Sequence, residues 1–361
     1  MLTQPDKQIR SERGIALIMV MLVVLALSII AGGFAYSVKV ETYLARNATD
    51  EYEFEWLGRS GIELARFAVG QQMSVPGESY DSLNQFWAGG LYVTNEIFLD
   101  QSLTDVQLGR GKFSVRIEDQ ERKFNINVAD ETILNQAFKL VGVDVAEAQG
   151  AVSSILDWID ADDQTRINGA EMDFYLGLEK PHLCKNGPLD DLTELLLING
   201  ISEDMYLGNA PPEIDPTLGP SARAIAMSRN NGPIYTNALV DFFTTTSARL
   251  VNINTANATI FQLIPGIDET VAQNIVTHRA GPDGVAGTED DTPFRSVRDL
   301  ANIPGMDQNS IGSAGRIFGV RSATFKVTVE VEINGRRKEM VGLIFRNNSA
   351  KDVRILYAYW K

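Results

Sequence analysis

The hydrophobic pattern changes character along the chain, beginning with "RSERGIALIMVMLVVLALSIIAGGFAYSV". A polar leader ends in Arg13-Gly14, and Ile15 to Val38 then runs for 24 residues without a charge. A secretory h-region takes about 7–15 residues and closes on a small-residue cleavage site, so this run is too long for one. It is long enough to cross a bilayer, which takes about 20 apolar residues. Lys7, Arg10 and Arg13 outweigh Asp6 and Glu12 before the run, while Lys39 and Glu41 balance after it. That bias orients the leader toward the cytoplasm. Beyond the run, Tyr43, Leu44, Phe54, Leu57, Ile62, Leu64, Ala65 and Phe67 recur at helical spacing. One long helix is therefore expected, apolar all round at first and amphipathic later, with Gly32-Gly33 as a soft spot.

Period-two alternation marks the strands. Phe113, Val115 and Ile117 alternate with Ser114, Arg116 and Glu118. Phe325, Val327, Val329 and Val331 do the same, and Asn334-Gly335 supplies a type I′ hairpin turn. "VRILYAYW" near the C-terminus reads as a further strand. A hairpin alone is marginal in water. These strands are expected to form one small antiparallel sheet covered by the helix at 44–70, an α+β head. Residues from about 125 to 320 then form an insertion.

The insertion repeats itself. Asn125-Ile126-Asn127 aligns with Asn252-Ile253-Asn254, and Gly142-Val143-Asp144 with Gly266-Ile267-Asp268. "LDDLTELLLINGIS" and "VRDLANIPGMD" follow the two copies. Each copy reads as Asn-x-Asn opening a helix, a glycine turn, and another helix, which makes a duplicated all-α module.

Charge narrows the functions. The 361 residues carry a net charge of −15, with 22% charged and 44% hydrophobic residues. Broad binding to a phosphate backbone needs a basic face and is disfavoured, whereas a cation site or basic partners suit the balance. A lone Cys184 permits no intrachain disulfide, and His182 and His278 give zinc or histidine chemistry little to build on. Neither a phosphate-cradling Gly-Lys-Ser/Thr loop nor a Gly-x-Ser-x-Gly elbow occurs, so no enzyme is expected.

Arg13-Gly14 before a charge-free helix resembles a type IV prepilin leader. The resemblance implies a peptidase cut between Gly14 and Ile15, retention of the apolar segment and N-methylation of Ile15. Most prepilins carry glutamate at mature position five, where it neutralises the N-terminal amine of a neighbouring subunit. This chain has Met19 there. A subunit without that carboxylate suits the filament end, and this pattern resembles the K class of minor pseudopilins in type II secretion. "NTANATIFQLIPGIDETVAQNIVTHR" also resembles helix-hairpin-helix modules, whose Pro-Gly-hydrophobic-Gly turn offers helix N–H groups to a phosphate. Asp144, Ser202, Asp268 and Asp307 stand where the second glycine belongs. The carboxylates would repel a phosphate, so the helical shape is expected and nucleic-acid binding is not.

"DWIDADDQTRINGAEMDFY" crowds Asp157, Asp160, Asp162, Asp163 and Glu171 into one stretch. Gln164 and Thr165 break any match to an EF-hand. The residues alone fit either a solvated loop or a cation site. The K-class resemblance implies calcium, with Asp160, Asp162 and Glu171 as preferred ligands and Asp157 and Asp163 next. Asp190 and Asp191 are candidates to close the site from the later helix start. A second loop, "AGPDGVAGTEDDTPF", crowds Asp283, Glu289, Asp290 and Asp291, and fits a second metal site and a plain surface loop equally.

The expected organisation follows. Residues 1–14 are a cleaved leader, 15–38 a transmembrane helix, and 39–124 a pilin-like helix with the first strands. Residues 125–320 are the helical insertion (SAM-like or helix-hairpin-helix-like copies at 125–205 and 246–320), and 321–361 return to the head. The resemblance implies a non-enzymatic subunit at the pseudopilus tip, starting or capping assembly for protein export across the outer membrane. Its implied partners are the I- and J-class minor pseudopilins and the prepilin peptidase. It would sit in the inner membrane with its bulk in the periplasm. A minor pilin of a type IV pilus and a membrane-anchored DNA-uptake protein are the alternatives.

Overall fold

The structure, a computed structural model, describes residues 13–90, 98, 101–209, 235, 237–347 and 352–361. The leader up to residue 12 lies outside the described residues. Helix α1 (Arg13–Gln72) is a single 60-residue helix. Gly32-Gly33 does not interrupt it, and nothing packs within 4 Å of where either Cβ would stand. From Ala16 to Thr49 every residue is exposed, and this apolar part is long enough to cross a membrane. From Phe54 the helix turns one face inward: Phe54, Leu57, Ile62, Ala65 and Val69 are buried, while Tyr52, Trp56 and Glu63 face out.

That face packs on a five-stranded antiparallel sheet ordered β1-β2-β7-β8-β9. β1 (Val106–Leu108) and β2 (Gly111–Asp119) precede the insertion. Inside it lie the two-residue strands β3 (Phe124–Asn125), β4 (Phe243–Thr244), β5 (Val251–Asn252) and β6 (Phe318–Gly319). β7 (Thr324–Ile333), β8 (Arg336–Arg346) and β9 (Val353–Trp360) complete the sheet. The register places Val115 opposite Val329, and Val329 opposite Met340. The expected alternation thus delivers Val115, Ile117, Val327, Val329, Val331 and Met340 to one core with α1. Asn334 (φ 52°) and Gly335 (φ 78°) form the β7–β8 turn as the sequence predicted. Gly61 lets the helix settle on the sheet, because a Cβ there would collide with the Val329 methyls.

The insertion has its own hydrophobic core, to which α2 (Glu131–Val141) contributes, and its two copies repeat the same side-chain hydrogen bonds at Asn-x-Asn. In each, the first Asn of Asn-x-Asn caps the turn: Asn125 Oδ1 accepts from Asn127 N at 3.0 Å, and Asn252 Oδ1 from Asn254 N at 2.9 Å. The second Asn clamps a distant backbone on both sides. Asn127 holds Leu189 N (2.7 Å) and O (3.0 Å), while Asn254 holds Phe294 N (2.8 Å) and O (2.9 Å). A capping box follows each clamp, Asp191 with Glu194 and Ser296 with Asp299. β3 pairs in parallel with β4, and β5 with β6.

A buried polar network joins head to insertion. The Asp119 carboxylate at the end of β2 accepts from Ser322 Oγ (2.6 Å), Asn252 Nδ2 (3.2 Å) and Thr255 Oγ1. Glu121 accepts from Thr324 N (3.0 Å) and Ala248 N (2.7 Å). Arg346 pairs with Asp81 and donates to Val69 O of α1. Burial and the neighbouring Asp119 charge push the Glu121 carboxyl up to about 8.

Candidate cation site in the helical insertion

The acidic stretch begins where α3 (Val145–Ile159) ends. Asp160 is its C-terminal cap, and the loop returns to α4 (Met172–Leu176) with Glu171 at the N-cap position. An N-cap carboxylate ordinarily accepts from its own helix N–H groups. Glu171 makes no such bond. Its side chain turns inward, is 4% exposed, and its oxygens have no hydrogen-bond partner beyond the nearby Cys184 thiol. Burial, then the charges of Asp157 and Asp160, push its carboxyl above the ordinary range. The Cys184 thiol near it is pushed up to about 11, chiefly by burial.

One oxygen each from Asp160, Asp162 and Glu171 lie within 4.8 Å of one another. Asp160 Oδ1 is also buried and unpartnered. Asp162 keeps one oxygen engaged, accepting from Gln164 N at 2.9 Å. An unpartnered buried carboxylate costs several kcal/mol unless something neutralises it. The donors are all hard oxygens on a short loop, the set that suits calcium.

The other acidic residues have different tasks. Asp157 is fully buried and accepts from the Arg166 backbone N–H and, at 2.8 Å, from Arg166 Nη1. The loop closes over it at Gly169, where any Cβ would collide with Asp157 Oδ2. The same Arg166 guanidinium pairs with Asp160. Asp163 accepts from Asn186 Nδ2 at 2.7 Å. Asp190 pairs with Lys185, and Asp191 caps the turn at Leu192–Leu197. Neither Asp190 nor Asp191 joins the three-oxygen group. Asn186 was not singled out by the sequence. Its Nδ2 also donates to Asp162 O at 3.1 Å, while its Oδ1 is buried without a partner. The only signal was the Asn186-Gly187 turn dipeptide, 15 residues beyond Glu171.

In the second acidic loop the carboxylates serve the loop itself. Asp290 accepts from Asp283 N (3.0 Å) and Thr288 Oγ1 (2.7 Å), Asp291 from Gly287 N (2.8 Å), and Asp283 from Val285 N (2.7 Å). Glu289 is exposed. Among the described residues, Asp160, Asp162 and Glu171 form the one group of three spaced for a metal.

At the four helix-hairpin turns the expected anion sites are already filled. Asp144 accepts from Ala146 N, Ser202 from Met205 N, Asp268 from Val271 N and Asp307 from Ser310 N, at 2.6–3.2 Å. Each cap already occupies one N–H at the helix start where a phosphate would be held.

A long N-terminal helix whose second half packs on an antiparallel sheet, interrupted by a helical insertion, defines a type IV pilin-like class. The family model described as "Type II secretion system (T2SS), protein K" matches residues 112–211, and "Helix-hairpin-helix motif" matches 246–314. Type II secretion system protein K of Pseudomonas aeruginosa is 25% identical over 95% of this chain and 91% of its own length. The protein K of Klebsiella pneumoniae is 24% identical and that of Pectobacterium carotovorum 26%, each over 54% of this chain. The chain spans 60% of the length of those two relatives. The GspK-GspI-GspJ complex from the enterotoxigenic Escherichia coli type 2 secretion system superposes with a TM-score of 0.60. That match covers 88% of this chain and 99% of the other, at 17% identity. The chain is thus similar to type II secretion system protein K along most of its length and in its fold.

Proposed function

We propose that this chain is made as a prepilin, cut after Gly14 and methylated at Ile15, and acts at the tip of the pseudopilus. Ile15–Val38 anchors it in the inner membrane, and the head and insertion stand in the periplasm. The observation that carries the tip role is Met19. A subunit lacking a carboxylate at that depth offers no charge partner to an amine above it, so the filament ends there. The insertion adds bulk at the same end.

The exposed stripe of α1, with Tyr52 and Trp56 outward, is the surface that meets the helices of other minor pseudopilins. The complex that shares this fold holds I and J proteins, and those classes are the partners proposed here. Calcium is the resident ion of the insertion, held by Asp160, Asp162 and Glu171. When bound it neutralises the buried Glu171 and fixes the loop between α3 and α4. Asp157 and Asp163 shape the loop through Arg166 and Asn186. Assembly at the tip then serves protein export across the outer membrane.

The test is co-purification of the full-length, detergent-extracted chain with I- and J-class pseudopilins expressed alongside it. A stable complex is expected. Recovery of this chain alone, with the I and J proteins associated only with each other, would refute the tip assignment.

A further inference from the structure

Within the proposed calcium site the loop carries its own cation. Five carboxylates, Asp157, Asp160, Asp162, Asp163 and Glu171, share this loop region with one guanidinium, that of Arg166. Lys180, the next basic residue along, is exposed, and Lys185 is engaged by Asp190 and Glu194. Arg166 Nη1 is bonded at once to Asp157 and to Asp160, and Asp160 is also a ligand candidate. Its backbone N–H is held by Asp157 as well, so the position of the guanidinium is fixed by the fold. It neutralises one side of the cluster and leaves the other side, Asp160 Oδ1 and both Glu171 oxygens, without a cationic partner.

We propose that Arg166 is a built-in counter-cation that holds the loop when calcium is absent and lowers the affinity for calcium when it arrives. This rests on the calcium reading of the same site. One carboxylate, Asp160, serves both cations, so a divalent ion and the guanidinium stand about one carboxylate apart and repel. Arg166 is 42% exposed, so solvent screens that repulsion to a moderate value. Without calcium the same charge offsets the mutual repulsion of Asp157 and Asp160. The site thereby fills at a higher calcium concentration, with its loop held in the ion's absence.

The test compares full-length wild type, Arg166→Gln and Arg166→Lys in detergent micelles, melted in chelator and across a calcium titration. Arg166→Gln is expected to melt lower than wild type in chelator and to bind calcium about threefold to tenfold more tightly. Its gap to wild type is expected to narrow at saturating calcium. Arg166→Lys, which keeps the charge, is expected to retain wild-type affinity. Equal or weaker calcium binding by Arg166→Gln overturns the proposal, as does an Arg166→Lys affinity as tight as that of Arg166→Gln. A variant too unstable to fold in chelator still decides it: rescue by calcium is expected, and failure to fold at saturating calcium contradicts it. If wild type itself shows no calcium response, the metal reading of the site falls, and this inference with it.

Discussion

Asp157, Asp160 and Asp191 look alike in the sequence and do different work in the structure. The crowding of carboxylates at 157–171 was legible, because charge density along a chain needs no fold to be seen. The preferred trio from the resemblance, Asp160, Asp162 and Glu171, is the one whose oxygens converge, but the tasks of the other carboxylates were not legible. Asp157 lies a turn before Asp160 on α3, yet its side chain is fully enclosed and committed to Arg166. Asp191 sits where a ligand was expected but is drawn into a capping box by Glu194 three residues later. That signal was present in the sequence as Asp-x-x-Glu. Glu171 is the member whose environment points most directly to a cation, since it is buried, faces no basic side chain and makes no bond to its own helix start. Glu171→Gln is expected to raise the melting midpoint in chelator by removing an uncompensated buried charge. It should also cut calcium affinity by roughly tenfold or more. Calorimetry of wild type and variant, with and without the ion, checks both halves. An unchanged calcium response would exclude Glu171 as a ligand.

The elements themselves were the most legible level. Uninterrupted apolarity, helical spacing and strict alternation are local signals, and α1, β2, the β7–β8 hairpin and β9 stand where those signals put them. β1 was missed, since its three residues are too short to show a period. The repeat was legible because Asn-x-Asn must recur as a sequence to recur as a clamp. Two features of element packing give tests. Gly61 faces Val329 at the helix–sheet contact, so Gly61→Ala is expected to destabilise the head by about 1–3 kcal/mol through overpacking. Chemical denaturation measures it, and a neutral result would mean that α1 can slide on the sheet. The junction between head and insertion was invisible in the sequence. Its partners, Asp119 with Asn252 and Ser322 with Asp81, are 133 and 241 residues apart. There Glu121 holds its proton up to about 8, above the usual carboxylate value of 4.5. A folded-state pKa raised in this way favours the folded protein fully below the unfolded value, and the advantage is lost as pH rises through the folded one. Stability in chelator is therefore expected to fall as pH rises from about 4.5 to about 8, and Glu121→Gln to flatten that slope. Melting curves across that range decide it, and an identical slope in the variant would place the titrating group elsewhere.

The whole molecule joins a membrane-length apolar helix, a pilin-like head and a helical insertion whose helix starts are capped. The class was legible because its marks lie in the first 38 residues and in the duplicated insertion. The relation between head and insertion was not, because folding alone creates it. Every part of the tip-subunit reading depends on the apolar segment remaining in the finished protein behind a newly made N-terminus. The most direct measurement is the intact mass of the membrane-extracted protein from cells that contain prepilin peptidase. The account predicts a chain that starts at Ile15 and carries one added methyl group. A chain that still starts at Met1, or one that starts beyond Val38, would contradict it.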